Sequence, residues 1–328
     1  MPMLCIVNEN KDPFFNIASE EYIFRNFNED CFMLWRSKPS VIVGKHQNTL
    51  AEINWDFIKK HDIKIVRRLS GGGTVYHDPG NLNFTFIKHG RNRKLMDFEM
   101  FTDPVIKALA TMSVTAKFEG KNDLRVKGLK ISGNAEHIFR DKVLHHGTLL
   151  FDSNLDNLKN AIKKEKNYYS DKAVKSIRNQ VTNISSHLKK NISISEFRDI
   201  IQSFMFNYFP GTSLYHFTNE DIKKINKLVK EKYSGWEWNY GCSPRYMMKK
   251  IITAGEHKIT VEFTVAKGII ENFKIDDSGQ FGDETEKICE VVTGSQHEEI
   301  SLTKKLSGCH KFSVFQSISI IDFVHSLF

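Results

Sequence analysis

At 328 residues, with 40% hydrophobic and 26% charged side chains, the chain is long enough to bury one large or two modest cores. No apolar run approaches the roughly 20 residues that a membrane-spanning helix needs, so no membrane association of that kind is expected. The net charge of +8, from 47 basic and 39 acidic residues, suits an anionic cofactor or an acidic protein partner. The lysines are spread rather than blocked and no nucleic-acid module is visible, so nucleic acid is not an expected partner.

Residues 3–7 read as a short strand and Asp12–Pro13 as a turn. In residues 14–27, FFNIASEEYIFRNF, apolar side chains recur at helical spacing. Ile17, Tyr22, Ile23 and Phe24 are expected toward a core, with Glu20, Glu21 and Arg25 outside. Residues 31–35 and 40–44 read as strands around a Lys38–Pro39 turn, and 54–61 as a short helix capped by Asn54. An apolar run at 63–66 leads into RRLSGGGTVYHDPGN, where Gly71, Gly72 and Gly73 precede strand-like residues 74–76 and 82–86. Such a loop lets backbone approach a ligand, because glycine has no Cβ and accepts positive φ cheaply. Its N–H groups beside Arg68 suit an anion. The spacing matches neither GxGxxG nor a P-loop, and a tight turn with incidental arginines fits these residues too. His77–Asp78 reads as a charge-paired turn, and Arg67 as a possible salt-bridge partner.

Residues 97–112 are apolar at helical spacing around Pro104, so this helix either starts there, capped by Asp103, or is kinked. Strands follow at 114–118, 124–126, 129–132 and 143–151. Strands come first, helices are interspersed and connections are short, which indicates an α+β domain around a largely antiparallel sheet. In the strand at 129–132, Lys130 and Ser132 share one face, Leu129 and Ile131 the other. If the apolar pair faces the core, Lys130 faces a cleft; on pattern alone a solvated strand lysine is the simpler reading. His145 and His146 are adjacent on a strand and therefore cannot easily chelate one ion. Asp123 is the best-placed carboxylate for Mg²⁺, which favours oxygen ligands.

Helices are expected from 155 to 162, 193 to 208 and 219 to 233, the last capped by Thr218 with Asp221 at N3. Residues 160–175 are lysine-rich and read as surface. Beyond Pro244, ITVEFTV, AKG and IIENFKI form a hairpin, with helices near 284–292, 301–306 and 315–328. Cys5, Cys31, Cys242, Cys289 and Cys309 form no CxxC pair or zinc spacing, and none lies between residues 60 and 150. Free thiols in a reducing compartment are expected. The first residues, MPMLCIVNENKDPFF, carry no signal- or transit-peptide pattern, so the expected location is cytoplasmic.

Taken together, RRLSGGGTVYHDPGN and KISGNA…HHGTLL resemble the lipoate–protein ligase family, with both motifs in the family's order and separation. The resemblance runs from PSVIVGKHQN at 39–48 to WEWNYGCSP at 236–244 and takes in AVKSIRNQVTNI from Ala173. It implies a biotin/lipoate ligase-like α+β catalytic domain with a mainly antiparallel mixed sheet over residues 1–244. A small α/β accessory domain is expected over residues 245–328. The implied reaction uses ATP, with Mg²⁺, to convert lipoate to lipoyl-AMP and then acylates a lysine. The implied acceptors are lipoyl domains of 2-oxoacid dehydrogenase complexes or the glycine-cleavage carrier protein.

By the same resemblance, Lys130 contacts both the acyl carboxylate and the α-phosphate, and Arg68 reaches the nucleotide phosphates. Gly73, Thr74, Val75 and Tyr76 wrap the adenylate through their backbone, Gly71 and Gly72 let that loop turn, and His146 walls the acyl channel. A cation between carboxylate and phosphate offsets their repulsion and the charge that builds in the transition state. Octanoyl transferases of the same superfamily use a cysteine thioester from acyl carrier protein; the cysteine positions here disfavour that route. A transferase that takes preformed acyl adenylate remains the alternative.

Overall fold

The computed structural model describes residues 3–90, 97–162, 168–177 and 179–328. Part of the lysine-rich stretch, 163–167, and Arg178 of the AVKSIRNQVTNI segment lie outside the described residues. The chain divides into two compact units, Met1–Lys45, Phe57–Ile162 and Lys175–Gly235 in one, and His46–Asp56, Lys163–Val174 and Trp236–Phe328 in the other. The second unit thus begins at Trp236 and takes in two earlier segments, where the sequence suggests a single boundary after residue 244.

The first unit is built on an eight-stranded mixed sheet. From edge to edge its strands are Ser213–His216, Leu4–Val7, Cys31–Trp35, Asn81–His89, Lys142–Leu150, Leu129–Phe139, Asp123–Val126 and Lys117–Glu119. The first three run parallel and all later pairings are antiparallel. This is the expected α+β arrangement. Alternation along Asn81–His89 sends Leu82, Phe84 and Phe86 into a core with Phe101, Val105, Phe197 and Ile201 of helices Phe98–Thr111 and Ile194–Tyr208. Asn83 and Thr85 alternate with them and are equally buried, because this sheet is covered on both faces.

Helix Pro13–Asn26 supplies part of that second cover. Asp12 caps it by accepting from the Phe15 N–H, and proline at the first turn loses no hydrogen bond. Glu20 and Glu21, expected on an outer face, are 2% and 0% exposed. Glu21 is buried because it meets Lys232 at 2.6 Å, Tyr233 and Arg25; Glu20 is buried because it serves a polar cluster described below. Helix Phe98–Thr111 starts at an Asp97 cap and runs through Pro104, so Asp103 is not its cap. The expected capping box forms at Thr218–Asp221, and a second one, at Ser193–Glu196, starts helix Ile194–Tyr208. The strand expected at 114–118 lies at Lys117–Glu119.

A separate three-stranded sheet carries the glycine loop. Ser40–Val43 lies between a parallel Lys64–Arg67 and an antiparallel Val75–His77. The second unit has its own sheet, ordered Tyr169–Asp171, Tyr246–Ala254, His257–Ala266 and Ile269–Asp276. Its hairpin turns at Lys267 and Gly268, φ 50° and 75°, both left-handed as a two-residue turn requires. Helices Glu284–Val292, Glu299–Leu306, Ser313–Ser317 and Ile320–His325 follow; the last two replace the single helix expected at 315–328. Among the described residues, no helix is long and apolar enough to cross a membrane.

Candidate active site

The glycine loop is shaped from beneath by Arg68. This residue is 4% exposed, and its guanidinium donates to the carbonyls of Ile42, Gly71 and Gly73 at 3.0, 2.6 and 2.7 Å and to Ser70 Oγ at 2.9 Å. Arg68 is thus folded under the loop it precedes instead of extending from it. Arg67, wholly buried, donates to the carbonyls of Gly44 and Lys45. Of the three glycines, Gly72 needs its identity most: φ is +84°, and a Cβ there would lie 3.2 Å from the Arg68 guanidinium. A Cβ on Gly73 would lie 3.1 Å from Ser176 Oγ, which accepts the Thr74 N–H at 2.8 Å. Gly71, expected to help the turn, has open space around it and no left-handed φ. Val75 and Tyr76 sit in the strand paired with Ile42 and Val41, and the Tyr76 side chain is buried.

Lys130 lies at a bulge, where Arg125 pairs with Lys130, Leu124 with Ser132, and Ile131 is skipped. Ile131 enters the core, whereas the Lys130 side chain keeps 21% exposure and its ammonium sits 2.7 Å from Asp123 Oδ1. Asp123 Oδ2 is held by Arg125 at 2.8 Å. The backbone of Lys130 is clamped as well, donating to the Gln180 carbonyl and accepting from the Thr182 N–H. A Cβ on Gly133 would lie 3.0 Å from Lys130 Nζ, so the glycine of KISGNA makes room for the ammonium.

The two histidines diverge, as adjacent strand residues must. His146 binds Ser70 Oγ through Nε2 at 2.6 Å and Glu20 through Nδ1 at 3.0 Å. Both ring nitrogens are engaged, which leaves ring carbons for any apolar ligand. His145 contacts Glu136 at 3.0 Å and stacks on Phe101. Burial holds His145 neutral, and burial with Asp97 nearby raises Glu136 to about 7. His77 and Asp78 do not form the expected charge pair. Asp78 accepts the N–H groups of Gly80 and Asn154, and burial pushes His77 down to about 3.

The two motifs therefore fold onto one another. Ser70 of the first bonds His146 of the second, and a Cβ on Gly72 would lie 3.9 Å from Ala135. Residues 12–206 match the family model of the lipoyl protein ligase A/B catalytic domain. Lipoate-protein ligase LplJ of Bacillus subtilis is 38% identical, over 99% of this chain and 100% of its own length. The chain belongs to the lipoyl protein ligase A/B family.

Two solved structures resemble this family member. Lipoate-protein ligase A bound with ATP superimposes with a TM-score of 0.63 at 25% identity, covering 74% of this chain and 100% of its own. Protein Ta0514 of T. acidophilum with bound lipoic acid gives 0.63 at 25% identity, covering 73% and 100%.

Several residues of this ligase-family site carry no signal in the sequence. Glu20 reads as helix surface, and no pattern gives Ser70, Ser176 or Arg125 a role of its own. Only the small residue at 133, inside KISGNA, hints at the space it leaves. Asp123, the carboxylate expected to hold Mg²⁺, meets Lys130 with one oxygen and Arg125 with the other. Among the described residues no three His, Cys, Asp or Glu side chains cluster as a metal site.

Proposed function

We propose that this chain is an ATP-dependent lipoate–protein ligase, the activity for which its relatives are named. The observation that carries this reading is the convergence of both motifs through Ser70 and His146, with the Lys130 ammonium fixed in the second motif. A lipoate carboxylate oxygen attacks the α-phosphorus of ATP and the bond to pyrophosphate breaks. Lys130 offsets the repulsion between the two anions and the charge that builds on the transferring phosphoryl group. An uncharged lysine ε-amine of the acceptor then attacks the lipoyl carbonyl, and AMP leaves with the bonding electron pair. The same ammonium stabilises the oxyanion of that second step. Mg²⁺ would enter with ATP and screen the charge of its phosphates, while both oxygens of Asp123 are engaged by Lys130 and Arg125. The acceptors are lipoyl domains of 2-oxoacid dehydrogenase complexes or the glycine-cleavage carrier protein, small acidic domains suited to a basic enzyme.

The cysteines support adenylate chemistry over a thioester. All five are unpaired, and burial pushes the Cys5 thiol to about 11 and the Cys31 thiol to about 12, which leaves little thiolate at neutral pH. Unpaired thiols also suit the cytoplasm. The test is lipoate-dependent exchange between ATP and labelled pyrophosphate. Exchange by the purified protein is expected. Absence of exchange, with transfer from synthetic lipoyl-AMP intact, would make the chain a transferase of preformed adenylate.

A further inference from the structure

Six buried side chains form one continuous hydrogen-bonded line through the first unit. Trp35 Nε1 donates to Thr85 Oγ1 at 2.9 Å, and Thr85 Oγ1 donates to Glu20 Oε1 at 2.6 Å. Glu20 meets His146 Nδ1 at 3.0 Å, His146 Nε2 meets Ser70 Oγ at 2.6 Å, and Arg68 Nε donates to Ser70 Oγ at 2.9 Å. The ends of this line, an indole and a guanidinium, can only donate, and the carboxylate near its middle can only accept. His146 Nδ1, which faces that carboxylate, therefore carries a hydrogen and donates to Glu20. With a neutral imidazole, Nε2 is then an acceptor: the Ser70 hydroxyl accepts from Arg68 and gives its own hydrogen to His146 Nε2.

The line also answers a question of charge. Every hydrogen bond of the buried Arg68 guanidinium goes to a hydroxyl or a backbone carbonyl. Its counter-charge is Glu20, reached through Ser70 and His146. Burial lowers the Arg68 pKa to about 10, and the charge of Glu20 opposes that fall. Serine, histidine and carboxylate in this order suggest a nucleophile with its base. Here, however, Ser70 is 1% exposed and its oxygen is already an acceptor for a cation, which suits a strut and not an attacking group.

We propose that Glu20, His146 and Ser70 are positioning residues: together they set the guanidinium of Arg68 and, through its bonds to the Gly71 and Gly73 carbonyls, the shape of the nucleotide loop. This rests on the reading of the chain as a lipoate ligase, in which that loop receives ATP. Its effect falls on the nucleotide side, although two of the three residues lie outside the glycine motif.

Two measurements test it. The first needs no substrate: long-range ¹H–¹⁵N correlation of the imidazoles, with the His146 signal assigned by its loss in His146→Phe. A neutral Nδ1–H tautomer is expected, and an Nε2–H tautomer or an imidazolium at neutral pH would overturn the strut. The second compares Michaelis constants. Ser70→Ala should raise KM for ATP on the order of ten-fold, the loss of one bond to a charged group. KM for lipoate should stay near wild type, KM for lipoyl-AMP, which carries the same nucleotide, should rise with that for ATP, and Ser70→Thr should restore much of the ATP effect. An unchanged KM for ATP, or a rise in KM for lipoate alone, would refute the proposal. If the wild-type protein lacks exchange altogether, the ligase reading fails instead, and the tautomer alone decides the strut.

Discussion

Lys130 Nζ lies 2.7 Å from Asp123 Oδ1, and Arg125 holds the other oxygen of the same carboxylate at 2.8 Å. Two cations thus share one anion across neighbouring strands, and the trio keeps a net positive charge that favours an incoming anion. Asp123 fixes the Lys130 ammonium; on the ligase reading proposed above, a substrate carboxylate or phosphate would compete for it. Pre-placed charge is worth more than mobile charge, because it needs no reorganisation during reaction.

Replacing Asp123 by Asn keeps the shape and removes the anion. Adenylation should slow about ten-fold or more as Lys130 loses its fixed position. Stability should fall by about 1.5–3 kcal/mol, typical for a hydrogen bond to a charged group. The Mg²⁺ concentration that gives half-maximal activity should not change. A marked rise in that requirement would instead make Asp123 a metal ligand.

Gly133→Ala tests the space left for the ammonium. A Cβ there would lie 3.0 Å from Lys130 Nζ and 3.1 Å from Cε, the far end of a flexible side chain. The fold should survive and both half-reactions should weaken, as thermal melting and single-turnover rates would report together. Gly71→Ala, with open space and no left-handed φ, should fold normally. Gly72→Ala should cost about 1–2 kcal/mol for its left-handed backbone alone. Equal melting temperatures for the Gly71 and Gly72 variants would contradict this account of the loop.

The Glu136–His145 pair makes stability depend on pH in a stated direction. Glu136 is raised in the folded state from 4.5 to about 7, chiefly by burial and then by the charge of Asp97. The native state therefore binds more protons than the unfolded chain between those values. The contribution of Glu136 is complete below about 4.5 and is lost as pH rises through 7. His145 acts the other way: burial lowers its pKa, so stability falls as pH drops below its ordinary 6.5. Glu136→Gln should melt with a smaller loss between pH 6 and 8 than wild type, and an identical slope would count against the pair.

Periodicity and capping chemistry made much of this fold legible. The Thr218–Asp221 box, the hairpin at Lys267–Gly268 and the divergence of His145 and His146 all follow from local spacing. The burial of Glu20 and Glu21 does not. A helical repeat shows which face is apolar, but not that a second layer covers the polar face. The Lys130–Asp123 contact was equally hidden, because the two residues meet through strand pairing across a bulge. The second unit recruits residues 46–56 by contacts such as Thr49 Oγ1 to the Asn239 carbonyl at 2.6 Å, which no change of composition announces. The motifs mark residues 68–76 and 130 as the expected site; Glu20, Asp123 and Arg125, which belong to the polar networks around them, lie outside those stretches.

The central claim is that one ammonium, Lys130, serves both half-reactions. The measurement is the rate of Lys130→Ala in each, lipoate-dependent pyrophosphate exchange for the first and transfer from synthetic lipoyl-AMP for the second. Both should fall about 10²–10³-fold, equivalent to roughly 3–4 kcal/mol of lost charge stabilisation. Lys130→Arg should recover little, since a planar fork does not replace a compact point charge. Lys127→Ala, an exposed lysine on the adjoining turn, should leave both rates near wild type. A folded Lys130→Ala protein that turns over normally in either half-reaction would contradict the account.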